Sequence, residues 1–173
     1  MTDPLKLQFA TRAAIRAARS KLPNVAAWAM SVRRALIQGH TAAHLLGLAE
    51  RLQVPLDGAL LSQARLSNAE RVDIAKRVNA QLDYLKGFAA AVPDMSAAAI
   101  AARANLYAGA VRASYYGARY PRLPSVPGDG STPCKSNCKC TLEQRVDGIW
   151  WVLGAAEHCI GCLDRAAGSP YEG

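Results

Sequence analysis

All five cysteines of this chain, Cys134, Cys138, Cys140, Cys159 and Cys162, fall in two short stretches near its end, PCKSNCKC and EHCIGCLD. Thiols crowded in this way meet one another through a metal, through disulfides or through redox chemistry. The order of the surrounding residues separates these. A thiol-bearing turn leads to CTLEQRVDGIWWVLG, where Asp147-Gly148 between apolar-rich arms predicts a hairpin with strands at about 141–146 and 149–153. HCIGCLDRAAG then predicts a short helix whose first turn carries C-x-x-C. A knuckle supplying sulfurs from one side and a helix start supplying them from the other is the layout of a treble-clef-like zinc module. The helix N-terminus also favours the thiolate form. A unit this small cannot hold itself by apolar burial, and a structural metal supplies folding free energy directly. Two disulfides would leave an odd cysteine. A redox role for CIGC needs a βαβ setting that the flanking sequence does not offer.

Six side chains compete for four places: the five cysteines and His158. The spacing favours Cys134, Cys138, Cys159 and Cys162, with Cys140 as the main substitute and His158 as the weaker one. The expected role is structural. Glu157 beside His158 faintly resembles a zinc-deaminase pattern, but the order and spacing differ from H-x-E before P-C-x-x-C.

Upstream, the chain reads as helices. LKLQFATRAAIRAARS predicts a basic helix that ends near Pro23, and residues 25–52 predict a long one carrying Trp28, Val32, Leu36 or Ile37, and His40 on neighbouring turns. Pro55 and Gly58 break the pattern. SNAE is a capping box: Ser67 caps a helix start and Glu70 reaches back. The helix it opens places Val72, Ala75, Val78 or Asn79, Leu82, Leu85 and Phe88 near one face. A fourth helix, with Ile100, Leu106 or Tyr107, Val111 and Tyr115, ends near Tyr120. Four prolines in YPRLPSVPGDGSTPC then exclude helix and predict a stiff, extended connector. The fold expected is mainly α: a helical bundle of about four helices over residues 1–120, a Pro/Gly-rich connector over 121–133 and a cysteine-rich module over 134–173.

Residues 1–120 hold 16 Lys+Arg against 7 Asp+Glu, whereas residues 121–173 hold 5 against 6. The excess positive charge therefore sits on the helical part, where it favours phosphate backbones or acidic protein surfaces. No apolar run reaches the length of a membrane span. The opening stretch is arginine-rich like an organelle transit peptide, but Asp3 and the missing serines favour a helix of the working protein. His40 and His44 stand one turn apart with Thr41 where H-E-x-x-H needs glutamate, so core histidines are expected. VPGDGS lacks the preceding strand and following helix of a phosphate loop. Tyr115, Tyr116 and Tyr120, beside Arg112, Arg119 and Arg122, read as a packing face rather than a base-stacking platform. No Ser-His-Asp set or carboxylate pair emerges, and a non-enzymatic protein is expected.

The stretch SYYGARYPRLPSVPGDGSTPCKSNCKC, with the closing EHCIGCLDRAAGSPYEG, resembles the C-terminal part of tailed-phage and prophage virion proteins grouped with Mu F-like minor head, or head-morphogenesis, proteins. The likeness extends more weakly through QLDYLKGFAAAV and ARANLYAGAVRASY to about residue 25. It implies a structural component of a phage head (minor capsid, cement or neck-associated) with Cys134, Cys138, Cys140, Cys159 and Cys162 as zinc ligands. It further implies docking on major capsid or portal–neck proteins, several copies per particle, packaged DNA as a possible contact of the basic helices, and a place in the virion after assembly in the host cytoplasm. The alternative expectation is a zinc-stabilised nucleic-acid-binding or regulatory module.

Overall fold

The computed structural model describes residues 25–54, 66–91, 96, 98, 99, 102, 107, 109–135 and 138–173, with side chains in the two long helices described over 30–52 and 68–81. The expected helix over 5–20, the break at Pro55 and Gly58, the side chains of Trp28, Leu82, Leu85 and Phe88, and Ile100 and Leu106 lie outside the described residues. The described elements are α1 (Val25–Leu52), α2 (Asn68–Ala91), α3 (Val111–Arg119), β1 (Thr141–Arg145), β2 (Gly148–Val152) and α4 (Ile160–Ala167). The chain is mainly helical with one small antiparallel sheet.

α1 buries Val32, Leu36, Ala43 and Leu46, a line at three-, four- and seven-residue steps that packs on both α2 and α3. It ends where Gln53 takes a left-handed φ of 55°. The Val54 N–H then reaches back to Ala49 O at 3.0 Å and the Gln53 N–H to Glu50 O at 3.3 Å, which satisfies two terminal carbonyls. α2 starts with the capping box read from its sequence. The Ser67 N–H and Oγ–H both donate to Glu70 Oε2 at 2.7 Å, and the Glu70 N–H donates to Ser67 Oγ at 3.3 Å. Ile74, Val78 and Gln81 form its buried face. α3 lies so close to α1 that a Cβ on Gly47 would overlap the Tyr115 carbonyl.

The hairpin pairs Thr141 with Val152 and Arg145 with Gly148, so its turn residues are Val146 and Asp147, one position earlier than expected. Gly148 opens β2 at a φ of 139°, and a Cβ there would meet Tyr171 O at 2.7 Å. That close approach lets the chain end bridge Ile149: the Ile149 N–H donates to Tyr171 O at 2.9 Å, and the Tyr171 N–H donates back at 2.8 Å. Trp151 faces inward and is buried, while Trp150 lies on the other face under the Arg145 guanidinium, 4.9 Å from it.

One expectation is corrected here. Residues 121–133 are not an extended spacer: they run as successive turns and bends, and Val126, Pro127 and Gly128 are buried. Proline bars helix but not compaction. Asp129 organises the turn by accepting from the Val126 N–H at 2.8 Å and the Ser131 N–H at 2.7 Å. One apolar cluster therefore runs from Ala43, Leu46, Val111 and Tyr116 of the helices through Val126 to Leu142, Ile149, Trp151 and the buried sulfurs.

Candidate metal centre

Each sulfur is aimed by a local device. Cys134 sits in a turn in which the Lys135 N–H donates to Thr132 O at 2.8 Å and Lys135 adopts a left-handed φ of 47°. The Cys138 N–H donates to Lys135 O at 3.3 Å, and two residues on, Cys140 leads into β1. From the other side, Cys159 is the N-cap of α4 with extended backbone. Its carbonyl accepts the Cys162 N–H at 2.9 Å, which folds C-x-x-C round the helix start.

The result is a cluster. The Sγ atoms of Cys134, Cys138 and Cys162 all lie within 4.8 Å of one another, with Cys134 to Cys162 at 3.5 Å and Cys138 to Cys162 at 3.6 Å. Cys159 Sγ is 3.6 Å from Cys134 Sγ. In a tetrahedral four-thiolate site with bonds of about 2.3 Å, sulfurs stand about 3.8 Å apart. The cluster can therefore hold a metal ion with little movement. All five cysteines are free thiols.

The remaining two candidates form a pair. Cys140 Sγ, fully buried, is 3.7 Å from His158 Nδ1. His158 Nε2 donates to the Gly154 carbonyl at 2.7 Å, which turns Nδ1 toward Cys140. The structure thus brings Cys134, Cys138 and Cys162 together, sets Cys159 against Cys134, and places Cys140 within hydrogen-bonding reach of both Cys162 and His158. Glu157 is exposed.

Electrostatics distinguish the sulfurs. Burial pushes the Cys138 thiol up to about 12, partly opposed by the Cys140 backbone N–H. Burial also drives Cys162 upward, reinforced by hydrogen bonds with its neighbouring thiols. At Cys159 burial works against the thiolate, but the backbone N–H groups of Cys134 and Cys162, with help from the neighbouring thiols, draw it down to about 7. A divalent cation among these sulfurs reverses the balance at Cys138 and Cys162, since its charge stabilises thiolates directly.

One contributor was invisible in the sequence. Arg112, on α3, donates from Nη2 to Cys138 O at 2.6 Å and so fastens the knuckle to the helical body. An arginine in a helix carries no local mark of such a contact. Arg165 plays a similar part from α4: it donates to Ser125 Oγ at 2.7 Å and lies 5.6 Å from the Trp151 ring.

The other motifs resolve as packing. His40 is fully buried, with Nδ1 at 2.7 Å from Ser114 Oγ and Nε2 at 3.4 Å from Gln81 Oε1. His44 pairs with Glu70 at 3.2 Å. Tyr115, Tyr116 and Tyr120 are buried against one another, with Arg119 bonded to Glu50 and Tyr115 beside them. Among the described residues, no helix is long and apolar enough to cross a membrane. No family model, no curated protein and no solved structure matches the chain.

Proposed function

We propose that the C-terminal module is a structural zinc site in a non-enzymatic component of a tailed-phage head, with Cys134, Cys138, Cys159 and Cys162 as ligands. The observation that carries the metal reading is the convergence of sulfurs from the knuckle and the start of α4 at distances close to tetrahedral edges. Thiolate donors select zinc over hard cations such as magnesium or calcium. Cys140 and His158 then serve as neighbours that shape the site rather than bind the ion. The sulfurs end an apolar cluster continuous with α1 and α3, which suits a staple that rigidifies a docking unit.

The place in a particle rests on the resemblance of the tail to Mu F-like minor head proteins. In this reading the metal-stapled foot and the helices it is fastened to form one rigid piece that docks on capsid or portal–neck subunits in several copies. The test is quantitative mass spectrometry of purified, intact virions from a host carrying the encoding phage. A fixed number of copies per particle supports the reading, and absence from intact particles overturns it.

A further inference from the structure

We propose that the groove between α1 and α2 is a docking site for an acidic amphipathic helix of a partner protein. It lies in the helical body and does not depend on the metal centre. Its volume is about 490 Å³, and Ile37, Leu45, Ile74 and Val78 supply its apolar surface. Leu45, Ile74 and Val78 are mostly covered by the packing of the two helices, but Ile37 is 42 % exposed. Met30, seven residues before Ile37 on the same face of α1, extends the apolar surface along that helix and is 67 % exposed. Large aliphatic side chains exposed in sequence along a two-helix seam mark an interaction surface. A third helix laid in such a seam anchors with apolar residues at i, i+4 and i+7.

Charge selects the occupant. Arg33 on α1 and Arg71 on α2 stand at the rim, and both are exposed. Arg71 is held in place by donating from Nε to Leu66 O at 3.0 Å. A helix carrying carboxylates beside its apolar anchors meets both arginines. A second copy of this chain docking groove to groove would bring the same arginines against each other. The chain's own residues 5–21 carry five Lys+Arg and no acidic residue, so they repeat the rim's charge rather than complement it. Duplex DNA would meet the arginines but leave the aliphatic surface uncovered.

The test uses the full chain and two synthetic helical peptides with leucine at i, i+4 and i+7, one flanked by glutamates and the other by lysines. Binding is read by fluorescence anisotropy. The acidic peptide is expected to bind and to weaken several-fold as salt rises. Ile37→Glu should lower its affinity at least about tenfold, with Ile37→Ala as the milder variant, and circular dichroism should confirm unchanged helix content in both. Combining Arg33→Glu with Arg71→Glu should transfer the preference to the lysine peptide. Failure of the acidic peptide to bind, equal binding of both peptides, or indifference to Ile37→Glu would overturn the proposal. So would self-association of the chain that Ile37→Glu abolishes, which makes the occupant a second copy. Displacement of the peptide by a generic DNA duplex, at a site insensitive to Ile37→Glu, would assign the arginines to nucleic acid instead.

Discussion

The helical body and the cysteine module solve the same problem by different means. In the body, long helices bury aliphatic lines, Val32, Leu36 and Leu46 on α1 and Ile74 and Val78 on α2, and their mutual register is marked by a buried polar set. Ser114, His40 and Gln81 come one each from α3, α1 and α2 and meet in the interior. The module has too few apolar residues for that strategy. Leu142, Ile149 and Trp151 make its core, joined by the buried sulfurs of Cys138, Cys140 and Cys162. A long helix tolerates the loss of one contact because its neighbours remain, whereas a four-ligand site of the kind proposed would not. The two regions are nevertheless not independent. The Arg112 bond to the Cys138 carbonyl and the shared apolar cluster join one to the other.

The contrast can be broken most severely at the sulfurs. Cys162→Ser removes the sulfur that lies near both Cys134 and Cys138. With zinc bound as proposed, a contribution on the order of 10 kcal/mol to folding means that the variant should lose metal and the fixed near-UV dichroism of Trp150 and Trp151. The far-UV helical signal of α1 and α2 should largely survive. Collapse of both signals together would mean that the body cannot stand without the module.

The body should be most sensitive where α1 and α3 touch. Gly47→Ala forces a methyl group into the Tyr115 carbonyl and should cost about 3 kcal/mol, near the top of the usual range for overpacking. Denaturant unfolding measures it, and Gly130→Ala is a useful contrast because open space surrounds that glycine, although its φ of 93° leaves some backbone strain.

Acid should test the buried polar set. Burial holds His40 neutral, lowering it from 6.5 to about 4, with the nearby Arg77 charge acting in the same direction and the Gln81 bond and Asp73 opposing. The unfolded chain therefore binds a proton at higher pH than the folded chain does. Stability from this residue is complete above about pH 6.5 and is lost as the pH falls toward 4, by roughly 3 kcal/mol in all. In His40→Gln that slope should be absent from urea titrations across the same window. Ser114→Ala should keep the slope but cost about 1–3 kcal/mol at neutral pH by leaving the imidazole Nδ1 unsatisfied.

The smallest effect is expected at the surface of the body. Ser67→Ala removes the cap of α2 and should cost about 1 kcal/mol. Its partner Glu70 is held down to about 2, chiefly by the Ser67 hydroxyl, so the capping contribution should be present above about pH 4.5 and fade as the pH drops through 2.

The features legible in the sequence are those set by local signals. The bounds of α1, the capping box at Ser67 and Glu70, the hairpin around Asp147 and the helix behind C-x-x-C all depend on residues within a few positions of each other. The one-residue shift of the hairpin turn shows the limit of such reading: Gly148 serves the exit from the turn, at a φ of 139°, and also the approach of Tyr171, far along the chain. Contacts between distant segments leave no such mark. Prolines at 121, 124, 127 and 133 correctly exclude helix, yet nothing nearby tells that Val126 and Pro127 are buried. The partnership of His40 with Ser114, the Arg112 bond to Cys138 O and the turning of Cys140 toward His158 depend on how helices and hairpin pack. The choice among six candidate ligands is undecided in the sequence for the same reason: spacing shows which sulfurs share a loop, and it takes the fold to bring Cys134, Cys138 and Cys162 together.

The most direct test of the structural-zinc reading is native mass spectrometry of the full chain purified with zinc present, joined to alkylation of its cysteines before and after chelation. One zinc per chain is expected, with Cys134, Cys138, Cys159 and Cys162 shielded while metal is bound and reactive once it is removed. A chain that retains no metal, or a Cys162→Ser variant that binds zinc as tightly as the parent, would contradict it.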